Sequence, residues 1–76
     1  MEIAPHISVD SEVHHGTAVI TGTRRPVSII VGSLAGGMSK EEVSREYAVT
    51  IEQIDAALSF AAELVAQVQG VSLAGD

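Results

Sequence analysis

Residues 38–54 read Met38-Ser39-Lys40-Glu41-Glu42-Val43-Ser44-Arg45-Glu46-Tyr47-Ala48-Val49-Thr50-Ile51-Glu52-Gln53-Ile54, and this stretch decides the fold. Ser39 followed three residues later by Glu42 is a capping box: each residue satisfies a backbone N–H that the first helical turn leaves unpaired. Met38 and Val43 flank it at the spacing of a hydrophobic staple. Thr50 and Gln53 repeat the device, with Val49 and Ile54 as the second staple. Two helices therefore start near residues 39 and 50, joined by a turn of about three residues around Ala48-Val49. Glu41 and Arg45 add a favourable i, i+4 pair to the first.

Upstream, Pro26 suits a first helical turn, where its missing N–H costs nothing. Val27, Ile30, Val31 and Leu34 then fall on one helical stripe, and Gly36-Gly37 stops it. Downstream, the last helix runs from Thr50 to about Gln69, with Gly70 beyond it. Ile51, Ile54, Leu58, Ala61, Val65 and Val68 alternate spacings of three and four along it, a heptad seam. Ala57, Phe60 and Leu64 form a second stripe beside the first. This seam predicts an oligomer interface, most simply a homodimer.

Residues 1–25 have strand texture. Ile3, Ile7, Val9 and Val13 are spaced by twos and fours, and Thr17–Thr21 is rich in β-branched residues. His14-His15-Gly16 lies between the two stretches, which predicts a short extended arm or hairpin. The whole is one domain over 1–76: a β arm to residue 25, a three-helix unit over 26–69 and a flexible tail over 70–76.

Composition narrows function by exclusion. The 76 residues are 46% hydrophobic and 3% aromatic, Tyr47 and Phe60 alone. A core of this size supplies only about 3–5 kcal/mol, and with no cysteine it has no disulfide staple. Self-association is the remaining support. Ten acidic against four basic residues give a net charge of −6, which disfavours nucleic acid, whose binding rests on Lys and Arg against phosphates. No apolar run reaches the ~18 residues of a membrane span, and Met1–His6 lack the features of a signal peptide. The expected compartment is the cytoplasm. No nucleophile elbow, paired-carboxylate cleft or phosphate loop is legible, so no enzyme and no cofactor are expected. His6, His14 and His15 do not make a metal site, because adjacent histidines on a strand point to opposite faces.

The segment His15-Gly16-Thr17-Ala18-Val19-Ile20-Thr21-Gly22-Thr23-Arg24-Arg25-Pro26-Val27 resembles the signature of the bacterial family called domain of unknown function 433. That signature is a glycine, a short Pro-Val-Ile-like strand, Gly-Thr-Arg, one residue, then Pro-Val. The apolar helix, the Ser capping box, the short helix with a tyrosine and the Ala-Ala-rich helix continue the resemblance over roughly residues 3–65. Ala18 stands where the family often has proline, and Arg25 where it usually has an apolar residue. The resemblance implies a mainly α fold: a short β arm and a homeodomain-like three-helix unit with a helix-turn-helix. It also implies kinship with Vap-type antitoxins, which pair with a toxin resembling a PIN-domain ribonuclease.

Three functions follow as expectations. The first is an antitoxin-like homodimer that neutralises a PIN-like toxin, using Glu52, Asp55 and Glu63 together with Val71 and Leu73 of the tail. An acidic surface complements the basic substrate groove of such a nuclease. The second is a helix-turn-helix transcriptional autoregulator that contacts DNA through Arg24, Arg25, Lys40, Arg45 and Gln53. Its recognition helix would present Glu52, Gln53 and Asp55 to the groove with no Lys or Arg after Arg45, which counts against base reading. Arg24, as the signature arginine, is expected to fix the arm on the helices, and Arg25 to be the exposed contact. The third is an oligomeric scaffold module without a toxin.

Overall fold

The computed structural model describes residues 1–9 and 16–68. Three short strands, β1 (Glu2–Ala4), β2 (Ile7–Ser8) and β3 (Val19–Ile20), precede three helices, α1 (Val27–Ala35), α2 (Lys40–Tyr47) and α3 (Ile51–Val68). The strands form one antiparallel sheet in the order β1-β2-β3.

The sheet departs from the expected two-part arm. The stretch beginning at Ile3 is not one strand, because Pro5-His6 breaks it into β1 and β2. Proline sets the first turn position, and His6 takes the left-handed conformation (φ 67°) that tight turns place second. The Glu2 carboxylate accepts from the His6 N–H at 2.8 Å and holds the turn closed. Val13, His14 and His15 lie outside the described residues. Ile7 pairs with Ile20 across β2 and β3, and both side chains are fully buried.

A knot of hydrogen bonds turns β3 into α1. Gly22 takes a left-handed φ of 83°. The Thr23 hydroxyl donates to the Ile20 carbonyl at 2.8 Å and accepts from the Arg25 N–H at 3.0 Å. The Ile20 N–H in turn donates to the Arg25 carbonyl. Pro26 is the N-cap of α1 and has no N–H to satisfy, while the Val27 N–H donates to Ala18 in the arm at 3.0 Å. The Gly22-Thr23 pair of the signature is thus a backbone device.

α1 buries Val27 and Ile30 and packs Val31 and Leu34 against the core, as its stripe predicts. It ends at Gly36, and Gly37 takes the left-handed turn (φ 109°). Both capping boxes form: Glu42 N–H to Ser39 Oγ at 3.1 Å with Ser39 N–H to Glu42 Oε1 at 2.8 Å, and Gln53 N–H to Thr50 Oγ1 at 3.0 Å with Thr50 N–H to Gln53 Oε1 at 2.8 Å. Val43, Val49 and Ile54 of the staples are buried, and Met38 packs against them. Together with Ala57 these residues make one core between the sheet and the helices.

Two predictions follow from the caps. Backbone and side-chain hydrogen bonds from Ser39, with a smaller contribution from Arg45, hold the Glu42 carboxyl below its ordinary pKa. A carboxyl depressed on folding stabilises fully above its unfolded pKa and loses that contribution as pH falls through the folded value. Ser39→Ala is expected to cost about 1 kcal/mol at neutral pH and to flatten this acid-side decline, as measured by urea melts across pH. Ala48, which ends α2 with φ 56°, is the converse case. Ala48→Gly relieves the left-handed strain and is expected to stabilise by about 0.5–1 kcal/mol in the same melts.

Candidate protein-docking groove

α3 carries two unlike faces. On one, Ile54 and Ala57 are fully buried in the chain's own core and Leu58 is half-buried against it. That corrects the expected seam of Ile51, Ile54, Leu58, Ala61, Val65 and Val68. The three-helix unit needs the first turns of this face for itself, so Ile54 cannot meet a second copy. The same face runs on past the core through half-buried Ala61 to Leu64, Val65 and Val68, which are 47, 60 and 52% exposed. Ile51, 39% exposed, lies at the other end of the helix.

The opposite face of α3 borders a groove of about 550 Å³. Glu52, Asp55, Ala56, Ser59, Phe60 and Glu63 line it from the helix; Ala4, Pro5 and His6 of the β1–β2 turn close it from the sheet side. The three carboxylates expected to meet a partner are therefore brought to one groove. The residues facing them escaped the sequence reading, although Pro5 was a visible signal for the turn that places them. Val71 and Leu73 lie outside the described residues.

The residues expected to contact DNA scatter. Lys40 donates to Asp55 Oδ1 at 2.6 Å, an exposed ion pair (44 and 53%) joining the starts of α2 and α3. Such a pair contributes at most about 1 kcal/mol, but it occupies one residue assigned to DNA and one assigned to a partner. Gln53 Oε1 is engaged in its cap. Arg45 is exposed in the last turn of α2. Arg24 and Arg25, both exposed, line a second groove of about 600 Å³ with Gly22, Thr23, Tyr47 and Ala48.

Arg25 is a fastening rather than a free contact. Its Nε donates to the Tyr47 carbonyl at 3.1 Å, and its guanidinium lies 5.8 Å from the centre of the Tyr47 ring. That carbonyl is one that the end of α2 leaves without an intrahelical partner, and a cation there complements the helix dipole. The Tyr47 hydroxyl reaches Ser33 Oγ of α1 at 3.0 Å, so one line of contacts ties arm, α2 and α1. Fixing the arm on the helices, the role expected of Arg24, is seen in the contacts of its neighbour Arg25.

Among the described residues no three His, Asp or Glu side chains gather as metal ligands, and no helix is long and apolar enough to cross a membrane.

The chain matches the profile of the family described as protein of unknown function (DUF433) over residues 7–61 and belongs to that family. No curated protein and no solved structure gives a match.

Arg25→Ala removes a charged hydrogen bond and an exposed cation–π contact together. The expected loss is about 1 kcal/mol of global stability, with faster amide exchange in Val19, Ile20 and Val27 than in α3. Equal acceleration in all of them, or in none, would show that Arg25 does not hold the arm.

Proposed function

We propose that this member of the DUF433 family is an antitoxin-like interaction protein, a homodimer that captures and neutralises a PIN-like ribonuclease. The division of α3 into two independent faces carries the reading. One face prolongs the core stripe into solvent, exposed and uncharged at Leu64, Val65 and Val68. A second copy can cover it without bringing like charges together, since Glu63 points to the other side of the helix. That other side holds Glu52, Asp55 and Glu63 along an open groove, an acidic complement to the basic substrate cleft of a nuclease. The two faces do not overlap, so dimer and partner can be held at once.

DNA contact is the second reading, favoured by one observation: Arg24 and Arg25 share a groove at the end of the arm, and a dimer doubles them. In this reading α2, the Ala48–Thr50 turn and α3 act as a homeodomain-like helix-turn-helix. Its recognition helix is weakly equipped, with Gln53 in a cap and Asp55 in an ion pair. The contacts then go to phosphates, and affinity falls steeply with salt.

Val65→Asp tests the dimer where the monomer fold has little at stake, because Val65 is 60% exposed. A buried, unpaired carboxylate is expected to raise the dimer dissociation constant about 100-fold, roughly 2.7 kcal/mol, in sedimentation equilibrium with helical circular dichroism unchanged. A wild-type chain that sediments as a monomer at all concentrations sinks the homodimer. Co-expression with a nuclease-like neighbouring reading frame then decides between capture and a scaffold without a toxin.

A further inference from the structure

The groove on α3 also specifies what fits it, and the inference rests on the reading of the chain as a partner-capturing protein. Phe60 and Ala56, both half-buried, make its floor, with Pro5 opposite. Of its carboxylates, Asp55 is held by Lys40. Glu52 and Glu63 have no ion-pair partner among the described residues, and both are exposed. They stand 11 positions apart in α3, close to three full turns, so they share a face about 16 Å apart along the axis. An acidic residue thus flanks each end of an apolar floor.

An extended chain advances about 3.3 Å per residue with side chains on alternate faces, so two side chains four residues apart share a face about 13 Å apart, and the length of Lys or Arg spans the rest. From these dimensions we infer that the groove takes an extended basic segment of the partner, with two Lys or Arg side chains four residues apart and an apolar side chain midway between them, all three on one face of the strand. Each cation meets one of Glu52 and Glu63, and the apolar side chain settles on Phe60 and Ala56. Carboxylates this far apart cannot share one metal ion, and they repel phosphate. A second copy of the chain does not fit either. Its Lys40 and Arg45 lie on α2, where they stand only about 7.5 Å apart along the axis, and Lys40 is already paired.

The test is an amide chemical-shift titration of the full chain with the peptide Ac-Arg-Ala-Leu-Ala-Arg-NH2. The controls are a peptide of the same composition with adjacent arginines and one with glutamates for arginines. Saturable shifts confined to residues 4–6 and 52–63 are expected, with at least tenfold weaker binding of both controls. The E52Q/E63Q double variant, and separately Ser59→Arg in the middle of the groove, are expected to weaken the first peptide at least tenfold while the circular dichroism stays unchanged. Shifts mapping elsewhere, equal binding of the adjacent-arginine peptide, unchanged binding by both variants, or no binding at millimolar peptide would each overturn the proposal. Capture of the nuclease is scored separately by co-purification. A double variant that still holds the nuclease overturns the groove as its docking site and leaves the antitoxin reading standing. A chain that binds the peptide but no nuclease retains the groove as a basic-segment site and removes the antitoxin reading.

Discussion

The structure depends on the hydroxyl of Thr23. It gives its proton to the Ile20 carbonyl and takes the Arg25 N–H, so one side chain satisfies two backbone groups at the point where strand becomes helix. With Gly22 left-handed before it and Pro26 after it, the chain has one exit direction from β3. That direction sets α1 across the sheet so that Val27 and Ile30 meet Ile7 and Ile20. It also delivers Arg25 to the end of α2, where the Tyr47 carbonyl needs a donor. Sheet, α1 and α2 are oriented by one short loop, and α3 packs into what they leave.

Local devices in the chain were legible because they act over three or four residues. The capping boxes at Ser39 and Thr50, the α1 stripe and the stop at Gly36-Gly37 needed no tertiary information. What was not legible depended on distance. The seam on α3 reads as six equivalent positions, yet burial separates Ile54 from Val68 according to where the rest of the domain ends. Arg25 looked like a spare charge because its acceptor is a carbonyl 22 residues away. Pro5-His6 was the intermediate case: proline marked a break, but the left-handed His6 that makes it a turn left no comparable signal.

The unlike behaviour of the two halves of α3 follows from size. Among the described residues, the nine buried apolar side chains include none beyond Ala57. A helix of 18 residues is about 27 Å long, and so small a core can cover only its first half. Its remaining turns keep the apolar pattern of the first, although a solvated helix end gains nothing from Leu64, Val65 and Val68. Apolar side chains spaced singly over a surface are ordinary. Three that continue a core stripe on one helix face make a contiguous apolar surface, and the proposed dimer would cover it.

Charge then decides how such a dimer can be arranged. Each chain carries −6, so two carry twice that, −12, and a face-to-face contact lined with carboxylates would be opposed by their repulsion. The sequence avoids this by placing Glu52, Asp55 and Glu63 on the side of α3 away from the uncovered stripe. The same separation turns a cost into a use. In the proposed dimer, two outward grooves on one particle would add their fields and draw a basic partner in before contact. Lys40 tempers the field by pairing with Asp55, leaving the strongest negative positions at the two ends of the groove, where Glu52 and Glu63 stand. On the proposed reading, selectivity would come from the spacing of the partner's cations along the groove rather than from total charge alone.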